Sequence, residues 1–189
     1  MRVLFVCTAN MCRSPVAAAL FRRHAASMRE PVFVGSAGLL DGGHTSPREV
    51  LATMDDMGVD LSEHQSMQIS PQVVSEADLV LGMARRHARE VVLLDSDAWP
   101  RTFTLKELVR RGEKLGPREP GETLPAWLDQ LHQGRERMDL VGRSTEDDVS
   151  DPLGGPLSAY RSSAQEIDNL VERLTALLFA PRDVLLPPE

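Results

Sequence analysis

Val3-Leu4-Phe5-Val6-Cys7-Thr8-Ala9-Asn10-Met11-Cys12-Arg13-Ser14-Pro15-Val16-Ala17-Ala18-Ala19-Leu20-Phe21 passes from an apolar run to a helical pattern through one short polar loop. Residues 2–6 are nearly all apolar, as a central parallel strand covered on both faces must be. A helix is expected over 15–29, with Ser14 as N-cap and Pro15 at the first helical position. The loop's backbone N–H groups then converge above the helix N-terminus, where unpaired donors and the positive end of the dipole favour an anion. Thr8, Ala9, Asn10, Met11, Cys12 and Ser14 are expected to line that site. Cys7, first in the loop, sits in the same field, which favours its thiolate, and a thiolate is a nucleophile.

Three neighbours add to this chemistry. Arg13 offers a planar fork of donors that can hold two oxygens of a tetrahedral oxyanion. Ser14 can donate its hydroxyl to the sulfur. Asn10 tolerates the left-handed backbone that a tight cradle needs. A structural cysteine beside an ordinary helix cap would need none of this company. Cys7 and Cys12 are the chain's two cysteines. As a disulfide they would close a tiny ring, and as a metal site they lack two further ligands. Cys12 is expected either to pack beneath the loop or to capture an oxidised Cys7 before its oxidation becomes irreversible.

Outward from this loop, strand and helix alternate. Pro31 to Ser36 reads as a second strand, followed by a glycine-rich loop over Ala37–His44 at its carboxyl end, the edge that lines ligand crevices in parallel α/β sheets. Ser36 could steady the anion loop from there. A helix beginning at Pro47 and capped by Thr45 or Ser46 runs through Met57 until Gly58 stops it. A third strand is expected over Asp78–Leu81, a helix over 84–94, a short fourth strand at Phe103-Thr104 and a helix from Leu105. Together these predict a doubly wound, four-stranded parallel sheet with helices on both faces. His24 and His64 read as surface histidines. Residues 112–150 form an insertion rich in Gly, Pro and charge, with a short helical pattern over Pro125–His132 that carries Trp127. Leu157–Phe179 is a long amphipathic helix. The expected organisation is one domain over 1–180 and a tail over 181–189.

The chain resembles the low-molecular-weight protein tyrosine phosphatases, whose N-terminal signature is matched by Cys7, Asn10, Cys12, Arg13, Ser14 and Pro15, with Ala9 where the family usually has glycine. Ser36-Ala37-Gly38, the strand Ala77–Met83 and the bacterial segment Phe103–Glu107 match in order, as does the late Asp151-Pro152 on its Pro/Gly turn. The resemblance implies a metal-independent and cofactor-free phosphatase with a cysteinyl-phosphate intermediate. It makes Cys7 the nucleophile, Arg13 the oxyanion holder and Asp151 the general acid. Asp151 must be protonated for the first step, so an acidic to neutral pH optimum is expected.

The resemblance implies a phosphorylated protein as substrate, with phosphate or a similar oxyanion in the loop. Where tyrosine-directed members carry aromatics after Asp-Pro, this chain has Leu153, and its glycine-rich loop offers Leu39-Leu40. Gly154-Gly155 resembles relatives that act on protein phosphoarginine. Those relatives carry a small threonine at the place of Met11, whereas a larger aliphatic residue there goes with phosphotyrosine. Phosphotyrosine is the expected substrate. The alternatives are phosphoarginine and arsenate reduced with a small-molecule thiol.

Composition narrows the field further. With 42% hydrophobic and 26% charged residues among 189, the chain can bury one sizeable core. A formal net charge of −7 argues against a nucleic-acid binder. No apolar run is long enough to span a membrane and no signal peptide precedes the first strand, so a cytoplasmic protein is expected.

Overall fold

The computed structural model describes residues 1–28, 30–141 and 145–179. The expected tail at 181–189 lies outside them. Four strands form the sheet: β1 (Arg2–Cys7), β2 (Phe33–Gly38), β3 (Leu79–Gly82) and β4 (Thr102–Thr104). All pairings are parallel, in the order β2-β1-β3-β4. The helices are α1 (Arg13–Ala25), α2 (Arg48–Asp56), α3 (Pro71–Ser75), α4 (Arg85–Leu94), α5 (Leu105–Leu115), α6 (Leu124–His132) and α7 (Leu157–Leu178).

Side chains of a strand alternate between faces, and β1 supplies both. Val3, Phe5 and Cys7 join the larger core with Phe21 of α1, Leu108 of α5 and Val171 of α7, while Leu4 and Val6 join a smaller one with Val74 and Val91. The apolar run at 3–6 is therefore apolar because both of its faces are covered. Phe5 meets Phe21 edge-on at 5.7 Å between ring centres. The spacing that predicts a core-facing α7 is realised, with Ile167, Leu170, Val171, Leu174, Leu177 and Leu178 all buried.

Two N-terminal caps differ from expectation. Helix α1 begins at Arg13 with Cys12 at its N-cap position and no side-chain cap, and α2 begins at Arg48 with Pro47 at the corresponding position. The Ser14 hydroxyl is turned to the loop instead of the helix end. Helix α3, which the sequence reading does not include, has Ser70 accepting from the Val73 N–H and Pro71 in the first turn, a local start signal.

Of the stretch 112–150, the part around α6 packs closely on the body. Trp127 is buried and its indole N–H donates to the Gly116 carbonyl at 3.2 Å. Just beyond α6, Arg135 is buried between the rings of Trp99 and Phe103, 4.0 and 3.8 Å from their centres. Its guanidinium donates to the Thr102 carbonyl and to Glu107, each at 2.7 Å. A cation thus covers the outer strand β4, whose free edge would otherwise invite pairing.

Candidate active site

The loop between β1 and α1 lies at the carboxyl end of the sheet. Its nearest support is Gly38, the last residue of β2, which pairs with Cys7 across the sheet. A Cβ on Gly38 would meet Ala9 C and Asn10 N at 2.8 Å and Thr8 O at 2.9 Å. The Leu39 and Leu40 N–H groups donate to the Thr8 carbonyl at 2.7 and 3.0 Å. The loop's path therefore depends on a residue with no side chain behind it.

Inside the loop, Asn10 is the non-glycine residue with positive φ among those described, at 53°. That conformation is unfavourable for most side chains and tolerated by asparagine. Asn10 is fully buried and every polar group of its side chain is engaged. Its Nδ2 donates to Ser14 Oγ and to Ser36 Oγ, both at 2.9 Å, and its Oδ1 accepts from the Met67 N–H at 2.9 Å. The Asn10 carbonyl accepts from His64 Nε2 at 2.7 Å. Ser36 thus reaches the loop through Asn10.

Cys7 is buried, and its Sγ accepts from the Asn10 N–H at 3.2 Å and from the Ser14 hydroxyl at 3.0 Å. Both donors point at the sulfur, one from the loop and one from the first turn of α1. Cys12 differs: burial, with Cys7 and Asp151 adding negative charge nearby, pushes its thiol up to about 12. Cys12 is therefore a neutral thiol at any physiological pH. Met11 is half-buried against the core.

Arg13 is buried although it is the loop's cation. Its Nη1 donates to the Val149 carbonyl at 3.2 Å, and its Nη2 to Asp151 Oδ2 at 2.5 Å. Nε is buried and has no hydrogen-bond partner among the described residues. Asp151 is more exposed. Its Oδ1 accepts from the Leu153 N–H at 3.3 Å, and Arg86 Nη2 stands 3.8 Å from Oδ2. Cys7, Arg13, Ser14 and Asp151 are thus drawn together from both ends of the chain.

Arg86 and His87, at the start of α4, carried no sequence signal for this site. Arg86 Nη2 donates to Thr8 Oγ1 at 3.1 Å and its Nε to His87 Nε2 at 3.3 Å. An arginine N–H only donates, so Nε2 of His87 accepts and its proton resides on Nδ1. Burial, then the charges of Arg13 and Arg86, push His87 down to about 3. His87 is a neutral acceptor behind Thr8, 3.0 Å from the Thr8 hydroxyl. His64 likewise is no free surface histidine, and His24 stands 2.8 Å from Asp168 of α7.

Comparison with known proteins agrees with this geometry. The family model described as low molecular weight phosphotyrosine protein phosphatase matches residues 2–124. A protein-arginine-phosphatase of Geobacillus stearothermophilus is 30% identical over 179 residues, covering 94% of this chain and 95% of the relative. A probable low molecular weight protein-tyrosine-phosphatase of Ralstonia nicotianae is 37% identical over 144 residues, covering 76% and 90%. The crystal structure of a low molecular weight protein tyrosine phosphatase from T. tengcongensis superposes with a TM-score of 0.69 at 30% identity, covering 92% of this chain and 97% of the other. Among the described residues no helix is long and apolar enough to cross a membrane.

Proposed function

The chain belongs to the low molecular weight phosphotyrosine protein phosphatase family, and we propose that it removes phosphate from protein phosphotyrosine in two displacements at Cys7. The observation that carries the proposal is the Cys7 sulfur held under two donors, with the Arg13 guanidinium bridging from the same loop to Asp151.

In the first displacement the Cys7 thiolate attacks phosphorus, an S–P bond forms and the bond to the leaving oxygen breaks. Asp151, protonated, gives its proton to that oxygen. The loop N–H groups and Arg13 hold the three remaining oxygens, whose negative charge is greatest as the transition state forms. The partnerless Nε of Arg13 is a charged donor free for this purpose. In the second displacement Asp151, now ionised, takes a proton from water as its oxygen attacks phosphorus. The S–P bond breaks, phosphate leaves, and the Ser14 hydroxyl stabilises the departing thiolate.

Met11, half-buried against the core within the loop, supports an aryl phosphate, because a larger aliphatic residue at this place goes with phosphotyrosine. Leu40 in the glycine-rich loop and Leu153 after Asp151 are both more than half exposed. Arg86, beside Asp151, would oppose a second guanidinium. Protein phosphoarginine is the other reading, favoured by the Geobacillus stearothermophilus arginine phosphatase that matches almost end to end.

The test is steady-state hydrolysis of a phosphotyrosine peptide and a phosphoarginine protein side by side. Turnover of the phosphotyrosine peptide is expected to vanish in Cys7→Ser and to fall by about 10²–10⁴-fold in Asp151→Asn. Exclusive turnover of the phosphoarginine protein would replace the proposed substrate. No turnover of either by folded protein would refute the reading.

A further inference from the structure

The segment leading to Asp151 is fastened at every step, and apart from Arg13 by groups that take no part in the reaction drawn above. Asp147 is buried, and its carboxylate joins two helices: Arg85 Nη2 of α4 donates to Oδ2 at 3.1 Å, and Arg110 Nη2 of α5 to Oδ1 and Oδ2 at 3.1 and 3.2 Å. Asp148 Oδ1 accepts the Arg85 N–H at 2.8 Å, where α4 starts. The Val149 N–H donates to the Met83 carbonyl at 2.8 Å, just past β3, and the Val149 carbonyl accepts from Arg13. The Ser150 carbonyl accepts from the Ser163 hydroxyl of α7 at 3.3 Å.

Among the described residues, Asp151 itself has only Arg13, Arg86 and its own turn to hold it. Of the upstream fastenings, Asp147 alone is a buried charge facing two cations. Removing such a charge takes the ionic tie to both helices away at once, leaving the segment with its weaker backbone fastenings.

We propose that Asp147 is a positioning residue for the general acid, holding the 147–150 segment against α4 and α5 so that the Asp151 carboxyl reaches the leaving oxygen. The proposal rests on the reading of Asp151 as the acid. A misplaced acid hurts in proportion to how much the leaving group needs a proton. A structural defect lowers turnover of every substrate alike.

The experiment measures kcat/KM, which reports the steps through departure of the leaving group, for phenyl phosphate and 2,4-dinitrophenyl phosphate. Phenoxide leaves poorly without a proton; dinitrophenoxide needs none. Asp147→Asn is expected to slow phenyl phosphate by about 10–10²-fold, as a displacement near 1 Å does, and dinitrophenyl phosphate by no more than about 3-fold. Asp151→Asn, run in parallel, is expected to show the same selectivity with a larger loss on phenyl phosphate.

Equal losses on both substrates in Asp147→Asn, or no loss on either, would overturn the positioning role while leaving the acid in place. Absence of selectivity in Asp151→Asn would instead overturn the acid reading, and the proposal with it. If Asp147→Asn does not fold, Arg110→Gln decides. It loosens one half-exposed partner and leaves Arg85, and should cost about 2–5-fold on phenyl phosphate with dinitrophenyl phosphate unchanged. An unselective loss there, or none, refutes the proposal.

Discussion

Replacing Gly38 by alanine asks whether the phosphate loop needs the space behind it. A Cβ there would stand 2.8 Å from Ala9 C, 2.8 Å from Asn10 N and 2.9 Å from Thr8 O, all backbone atoms of the loop. Carbon contacts are relaxed near 3.5 Å, so something must move by about 0.7 Å. The strand cannot withdraw, because the Gly38 N–H donates to the Met67 carbonyl and its carbonyl accepts from the Ile69 N–H, both at 2.8 Å. The loop must yield, carrying the donors to Cys7 with it. Overpacking of this kind costs about 1–3 kcal/mol, or roughly 2–12 °C in Tm for a chain of this size. Displacements approaching 1 Å in a catalytic constellation cost up to about 10²-fold, so kcat/KM on an aryl phosphate should fall by about 10–10²-fold. Gly35→Ala is the internal control. On the same strand, its Cβ would meet only the Leu4 Cδ1 at 3.6 Å, an ordinary contact. Gly35→Ala should keep full activity and melt no lower than the parent. If Gly38→Ala melts and turns over like Gly35→Ala, the steric reasoning is wrong.

Two further outcomes follow from buried charges and their absence. Arg135→Ala strands the buried Glu107 carboxylate, to which Arg111 alone then donates, and leaves the Thr102 carbonyl unpaired; chemical denaturation should show a loss of about 3 kcal/mol or more. His87, pushed down to about 3, takes up its proton in the unfolded chain near pH 6.5 and in the folded one only far below. The unfolded state therefore binds the extra proton between those values, and stability drains away as pH falls through that window by up to about 1.4 kcal/mol per unit. His87→Gln removes this slope, so urea midpoints of parent and variant should converge from pH 7 to pH 4; parallel curves would refute the assignment.

What was legible in the sequence is what short stretches of backbone decide. The Cys7–Ser14 loop needs only a strand before it, a helix after it and the right residue types between, all within one window. The four parallel strands follow from apolar runs near Val3, Val34, Val80 and Phe103, and α7 from its spacing. The Ser14 cap was misread because a hydroxyl at a helix start has two suitors there, the helix's own N–H groups and the sulfur at 3.0 Å. Nothing in a window around His64, His87 or Asp147 announces them, since their partners lie 54, 79 and 62 residues away. Such groups become functional only when the sheet brings strand ends side by side. Asp151 stood between the two cases: its Pro/Gly turn is local, but its role came from resemblance.

Arg13 shows why that convergence matters. Its three nitrogens face three different obligations: Nη1 to the Val149 carbonyl, Nη2 to Asp151, and Nε left unpartnered in the interior. The first two fasten the late segment 149–151 to the early loop, across 136 and 138 residues of chain. The third remains for an oxyanion. In the proposed mechanism one rigid fork thereby fixes the distance between Cys7 and Asp151 while holding the group that passes between them. A lysine, with its charge on a single nitrogen at the end of a flexible stem, could meet one of these obligations and not all three. The demand for arginine at this position is therefore as much about geometry between two ends of the chain as about charge.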